Sequence, residues 1–191
     1  MKIKRKNGDS GIDYLVNDGT LNLDTLKDKN VIIVGERHGY KGDMDLVGKL
    51  IETLEPDYIL VEALLDYVLH DRNSKLLQLK KPTSMHMYGA LTKLWLEFSL
   101  KYDRPFIGME CVDWEQKVGG NSLVDQFEVR EQHFIKMIGK YSNKGKVIAV
   151  TGDTHVRTIK TEQLGEVSPL YLKYNGKKDS AVIRTAEGEI E

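Results

Sequence analysis

The chain has 191 residues, of which 40% are hydrophobic and 30% are charged, an ordinary composition for a globular protein folded as one domain. Its 28 basic and 29 acidic residues nearly cancel, so the charge balance gives no reason to expect a nucleic-acid partner. No apolar run is long enough for a membrane span, and the basic start of the chain lacks the apolar segment of a signal peptide. A single cysteine, Cys111, excludes an internal disulfide and a cysteine-rich zinc site. We therefore expect a cytoplasmic protein.

Strands and helices are predicted to alternate along most of the chain. Residues 1–30 predict an N-terminal arm or small hairpin, with a turn at Asn17-Asp18-Gly19-Thr20. The core, residues 31–165, contains four short apolar runs that predict strands, at 31–34, 58–61, 106–109 and 146–150. Helical periodicity or capping residues between and after them predict helices at 43–54, 84–101, 122–141 and 156–163, and the Leu-rich stretch 63–81 predicts short helix and loop.

The C-terminal region, residues 166–191, predicts a β-hairpin followed by an acidic tail. Its two arms are 170–174 and 180–184, on either side of the turn signal Asn175-Gly176. With the alternation before it, this predicts an α/β fold, a mostly parallel central sheet with helices on both faces, plus the C-terminal hairpin.

A short motif occurs twice, each time after a β-branched apolar run. The first copy is Gly35-Glu36-Arg37-His38, and the second is Gly152-Asp153-Thr154-His155. The glycine lets the backbone turn as it leaves the sheet. Since residues two apart in an extended turn point the same way, we expect Glu36 and His38 to face one cavity, and Asp153 and His155 to do the same.

Two further acids, Glu62 and Glu110, are the first charged residues after the second and third strands of the core. The carboxyl ends of parallel strands meet at one edge of the sheet, where such folds bind ligands. His38, His155, Glu62 and Glu110 could together ligate a divalent metal, or the same groups could perform acid–base chemistry on a bound water without one.

The neighbouring residues Arg37, Arg157 and Asp153 are candidates for supporting roles at this edge. Arg37 could stabilise developing oxyanion charge, and Arg157 could hold an anionic oxygen or orient a carboxylate. The remaining histidines, His70, His86 and His133, have no acid at ligand spacing, and we expect them to be solvated or capping residues.

The order of these motifs resembles that of a known superfamily. The pattern is Val-Gly-Glu-x-His-Gly after the first strand, Val-Glu after the second, an acid after a later strand and Gly-x-x-His after a late one. It is similar to the superfamily that joins the erythromycin esterases, the ChaN-like haem-binding proteins, and the TraB/PrgY and Tiki proteins. The resemblance spans residues 31 to about 157. It implies an active site lined by Glu36, His38, Glu62, Glu110 and His155, with the histidines as a pair.

Our leading hypothesis is a small hydrolase that acts on an ester, lactone or amide of a small molecule or peptide, in line with the hydrolases and metal-dependent peptidases of that superfamily. His38 or Glu36 would activate water, either directly or on a divalent metal ion. His155 would be the second imidazole, as a ligand or as the acid that protonates the leaving group. Glu62 and Glu110 would orient the histidines or complete the ligand set.

The alternative is a binding protein without turnover, whose ligand is haem or another anionic small molecule. His38 and His155 would then be the ligands, and the carboxylates would be structural. A third reading is a degenerate member that acts through protein contacts.

Overall fold

The computed structural model describes residues 14–16, 19–20, 23–65, 69–70, 89–102, 104–111, 122–158, 160 and 165–185. Residues 71–81 of the predicted short helix and loop, the start of the 84–101 helix and the acidic tail lie outside the described residues. The 63–81 prediction is wrong where that stretch is described, because residues 63–65 and Leu69–His70 lie in strands. The 156–163 helix is also not seen in its described part, since residue 156 ends a 3₁₀ turn and residues 157, 158 and 160 are not helical. The strands are β1 Tyr14–Val16, β2 Gly19–Thr20, β3 Val31–Glu36, β4 Tyr58–Leu65, β5 Leu69–His70, β6 Phe106–Glu110, β7 Val147–Gly152 and β8 Ser180–Thr185. The helices are α1 Lys41–Leu54, α2 Gly89–Ser99, α3 Leu123–Ser142 and α4 Pro169–Tyr174, with 3₁₀ turns at Leu23–Leu26 and Asp153–Val156.

All eight strands form one sheet in the order β2-β1-β8-β3-β7-β4-β6-β5. The five central strands, from β8 to β6, run parallel to one another. Strands β1, β2 and β5 extend the two edges in antiparallel pairs. The predicted α/β fold with a mostly parallel sheet is therefore confirmed, and the carboxyl ends of β3, β7, β4 and β6 lie side by side.

Alternate residues of the central strands supply two separate apolar cores. In β3, Ile32 and Val34 belong to the core that α1 and α2 cover, whereas Val31 and Ile33 belong to the core that α3 and α4 cover. Every residue of β3 is buried, because helices cover the sheet on both faces. None of the helices in the described ranges is long and apolar enough to cross a membrane.

The C-terminal hairpin prediction is wrong in its first arm. Residues 169–174 form helix α4, which begins with Ser168 as N-cap and Pro169 in the first turn. The turn signal Asn175-Gly176 suggested a strand on each side of it, but the buried side chains of 169–174 include Leu170, Tyr171 and Tyr174, which follow helical spacing. The second arm is a strand, β8, and it pairs in parallel with β3 as part of the central sheet.

The two copies of the Gly-acid-x-His motif follow neighbouring strands that are offset by one residue. In the sheet, Glu36 of β3 lies opposite Gly152 of β7, and Gly35 lies opposite Thr151. The motif itself would align Gly35 with Gly152. Because residues that lie opposite each other point to the same face, the two motif acids leave the sheet on different faces.

Candidate functional site

Glu36 and His38 form a close pair at the carboxyl end of β3, as the motif predicts. The Nδ1 of His38 donates to Oε1 of Glu36 over 2.6 Å. Glu36 is buried, whereas the His38 side chain is 36% exposed. The hydrogen bond to Glu36 raises the pKa of His38 above its usual 6.5, against a smaller opposing effect of burial. The other carboxylate oxygen of Glu36, Oε2, is buried and has no hydrogen-bond partner among the described residues.

The ring of His38 lies against Gly152, at a position where a side chain on residue 152 would crowd it. A Cβ atom built on Gly152 would be 3.0 Å from His38 Nε2 and 3.5 Å from Glu62 Oε2. Gly152 has an ordinary φ of −58°, so the sharp turn that the motif suggested is not what requires a glycine here. The glycine instead leaves the room in which His38 approaches the buried carboxylate of Glu62.

Beneath His38, six buried charged side chains contact one another in a chain of alternating sign. We call this set the charge chain, and its members, in order of contact, are Glu110, Arg130, Glu62, His155, Glu131 and Arg157. Strands β6 and β4 supply Glu110 and Glu62, helix α3 supplies Arg130 and Glu131, and the 3₁₀ turn and the residue after it supply His155 and Arg157.

Arg130 holds Glu62 and Glu110 together. Its Nη2 donates to Oε1 of Glu62 and to Oε2 of Glu110, both at 2.5 Å, and its Nε donates to Glu110 as well. The second oxygen of Glu62 accepts the backbone N–H of Gly152 at 2.6 Å. Burial alone would raise the pKa of Glu62, but His155, Arg130 and this N–H together lower it far below its usual range. Burial raises the pKa of Glu110, and Arg130 opposes that shift only in part.

His155 lies between two carboxylates and is almost completely buried. Its Nε2 is 3.3 Å from Glu62 Oε1, and its Nδ1 is 3.4 Å from Glu131 Oε1. The ring also contacts Phe127 and Phe134, with ring centroids 4.7 and 5.0 Å away. Burial alone would lower the pKa of His155, but the two carboxylates outweigh burial and raise it.

The structure places the other predicted residues in different surroundings. Arg37 forms a bidentate ion pair with the buried Asp43, at 2.9 and 3.1 Å, and its guanidinium stacks 3.8 Å from the centroid of Tyr40. Arg157 orients a carboxylate, as one of its predicted roles requires, and that carboxylate is Glu131. Asp153 turns toward Gly35, where its Oδ1 would be 2.6 Å from an added Cβ.

The four predicted metal ligands do not form a donor set for a divalent cation. No cluster of three or more His, Cys, Asp or Glu side chains in the described part of the chain has the arrangement of a metal site. Arg130 occupies oxygens of both Glu62 and Glu110, and both nitrogens of His155 face carboxylates. A divalent ion among these residues would have to displace or sit beside a guanidinium, which its charge opposes.

The sequence analysis missed Arg130 and Glu131, two central members of the charge chain. Both lie in the middle of α3, far in sequence from any strand end. A signal was present, because Phe127, Arg130, Glu131 and Phe134 recur at helical spacing on one face. Charged residues within such an apolar stripe indicate a buried polar site.

Comparisons with solved structures support the α/β fold. No protein-family model and no curated protein matches the sequence. The chain is similar to ChaN of Campylobacter jejuni, solved with cofacially bound haem, at 10% identity and a TM-score of 0.51. That match covers 92% of this chain and 98% of ChaN.

A second solved structure is RRSP, a MARTX toxin effector domain from Vibrio vulnificus CMCP6. It matches at 16% identity with a TM-score of 0.48, over 76% of this chain. The chain covers only 32% of the RRSP structure's length.

Proposed function

We propose that this protein is a hydrolase in which the Glu36–His38 pair activates water for attack on a carboxylic ester, lactone or amide. The observation that carries the proposal is the pairing itself, a half-exposed imidazole whose Nδ1 is held by a buried carboxylate. With its Nδ1 proton bound by Glu36, a neutral His38 presents Nε2 as a proton acceptor. This is the arrangement by which a carboxylate fixes the tautomer of a general-base histidine.

The reaction uses His38 first as a base and then as an acid. His38 Nε2 takes a proton from water as the water oxygen bonds to the carbonyl carbon, and Glu36 stabilises the imidazolium that forms. The proton then passes to the leaving oxygen or nitrogen as the bond between that atom and the carbonyl carbon breaks. The raised pKa of His38 makes its imidazole a stronger proton acceptor. Only the neutral imidazole can act as the base, so activity should rise as the pH passes through the pKa of His38.

The charge chain supports this pair by fixing the electrostatics behind it. Glu62 is close to the Gly152 position that His38 approaches, and Arg130 and His155 keep that carboxylate ionised and oriented. Such prearranged charges need no reorganisation during the reaction. The proposed reaction therefore needs no metal ion, in agreement with the poor fit of the donor set.

Hydrolysis should be tested on a panel of p-nitrophenyl esters, a lactone and a protein substrate, with the wild type beside Glu36→Gln and His38→Ala. Both variants should lose about 100-fold or more in kcat/KM. Glu52→Gln, an exposed change on α1, is the matched control and should keep full activity. Added imidazole should partly restore His38→Ala, because the missing ring was partly exposed. Full activity in both variants would refute the mechanism, and a wild type inert on every substrate would count against hydrolysis.

Haem binding is the second candidate, and the ChaN-like fold together with the exposed edge of His38 favours it. The site limits how haem could bind. Of the two histidines, His155 is buried between two carboxylates, and only His38 presents its imidazole to solvent. A hemin titration of the wild type should then give a shifted Soret band. That band should be lost in His38→Ala and kept in His155→Gln. Equal spectra for the wild type and His38→Ala would exclude this mode of binding.

A further inference from the structure

Glu131 is a fully buried carboxylate that neither the motif nor the proposed reaction uses. Its Oε1 is 2.5 Å from Nη1 of Arg157 and 3.4 Å from Nδ1 of His155. Its Oε2 is 2.8 Å from the hydroxyl of Ser168, the N-cap residue of α4. Burial would raise the pKa of Glu131, but His155, Ser168 and Arg157 together lower it, so Glu131 carries a negative charge.

With all three of its carboxylates ionised, the charge chain is neutral when His155 is protonated. Its three carboxylates, Glu110, Glu62 and Glu131, then balance Arg130, His155 and Arg157. A neutral His155 would leave one excess negative charge buried, which is costly in a medium of low polarity. The distance from His155 Nδ1 to Glu131 is that of an ion pair rather than of a well-formed hydrogen bond, so charge is the main interaction.

We propose that Glu131 is a positioning residue that holds His155 as a charged imidazolium, oriented between Glu62 and Glu131. The groups that face the ring are Glu62 from β4, Arg130 and Glu131 from α3, and His38 from the loop after β3. Two of these are anions in direct contact with the ring nitrogens. His155 is then a fixed positive charge behind Glu62, and it is neither the base nor a metal ligand.

The catalytic importance of this charge rests on the proposed function, but the charge itself can be tested by spectroscopy without a substrate. In protein with ¹⁵N-labelled histidine, long-range ¹H–¹⁵N spectra distinguish an imidazolium, whose two nitrogens have similar shifts, from a neutral ring, whose nitrogens differ. At about pH 8 an ordinary histidine with a pKa near 6.5 is neutral. The wild-type His155, assigned by loss of its signals in His155→Gln, should still show the imidazolium pattern.

Glu131→Gln keeps the shape of the side chain and removes its charge. We expect the proton affinity of His155 to fall by about tenfold or more, so that its signals move to the neutral pattern at the same pH. Glu131→Asp retains the charge and should retain much of the wild-type pattern. Glu128→Gln, an exposed change on the same helix, is the matched control and should leave His155 unchanged.

Two results would overturn the proposal. The first is a neutral His155 in the wild type, which can be read even if Glu131→Gln does not fold. The second is a folded Glu131→Gln variant in which His155 keeps its imidazolium pattern, the result expected if Glu131 only braces α3 against α4. An inactive wild type with an imidazolium that depends on Glu131 would instead reject the proposed hydrolysis and leave this inference standing.

Discussion

The two motif glycines, Gly35 and Gly152, should respond differently to the same substitution by alanine. Neither has a positive φ, so alanine strains no backbone at either site, and the outcome depends on the atoms that the new methyl group would meet. A Cβ on Gly35 would lie 2.3 Å from Val156 Cγ2 and 3.1 Å from the Cα of Asp153. A Cβ on Gly152 would lie 3.0 and 3.2 Å from two ring atoms of His38.

The expected magnitudes follow from what can move. Val156 is fully buried and the Asp153 contact includes backbone, so the overlap at Gly35 must deform the core. We expect Gly35→Ala to lower the free energy of unfolding by about 3 kcal/mol, the upper part of the range for overpacking. His38 is partly exposed and its ring can swing away, so Gly152→Ala should cost less than about 1 kcal/mol. The displaced ring should nevertheless lower kcat/KM by about 10- to 100-fold.

Urea denaturation of the wild type and the two variants measures the first difference, and hydrolysis of the best substrate measures the second. The ring signals of His38 in ¹H–¹⁵N spectra report whether the ring is displaced, and this measurement does not require an active enzyme. The reasoning is refuted if Gly152→Ala destabilises the protein as much as Gly35→Ala does. It is also refuted if Gly152→Ala leaves the signals of His38 where they are in the wild type.

Three further outcomes are expected. Arg130→Gln leaves two buried carboxylates facing each other and should lower the free energy of unfolding in urea by about 3–5 kcal/mol. Adding Glu62→Gln to this variant should cost less than Glu62→Gln costs in the wild type, and additive losses would contradict the contact. The lowered pKa of Glu62 stabilises the fold above the unfolded value of 4.5, and this stability is lost as the pH falls. The raised pKa of His155 stabilises the fold below 6.5, and this stability is lost as the pH rises. The free energy of unfolding in urea should therefore have its maximum between these two pH values. The Glu62→Gln variant should flatten the acid side of that curve. Elemental analysis of purified protein should find far less than one divalent metal ion per chain, and near-stoichiometric metal that is lost in both His38→Ala and His155→Ala would overturn the metal-free site.

The alternation of apolar runs was enough to predict the α/β class and the edge at which the site lies. Parallel strands covered on both faces are apolar throughout, so Val31 to Val34 stood out without any tertiary information. The pairing of Glu36 with His38 was also within reach, because the two residues are neighbours in sequence and their geometry is local.

The rest of the site depends on contacts between distant segments. Arg130 joins Glu62 and Glu110 from a helix that packs across the sheet, and no local pattern specifies which strand ends it reaches. The metal hypothesis treated the acids and histidines as available ligands because the sequence does not show that a guanidinium occupies two of them. The hairpin error had a local origin, since Ser168-Pro169 is a helix-start signal and the prediction relied instead on the turn signal Asn175-Gly176.

The one-residue offset between β3 and β7 means that two motifs of the same Gly-acid-x-His pattern need not be chemically interchangeable. A pleated sheet distinguishes odd from even positions, so a single extra residue, Thr151, sends the second copy of the motif to the opposite side. One histidine is thereby partly exposed to solvent, and the other is buried beside the carboxylate of Glu62. An imidazole-modifying compound added to the folded protein should therefore label His38 and spare His155, although the sequence presents them as twins.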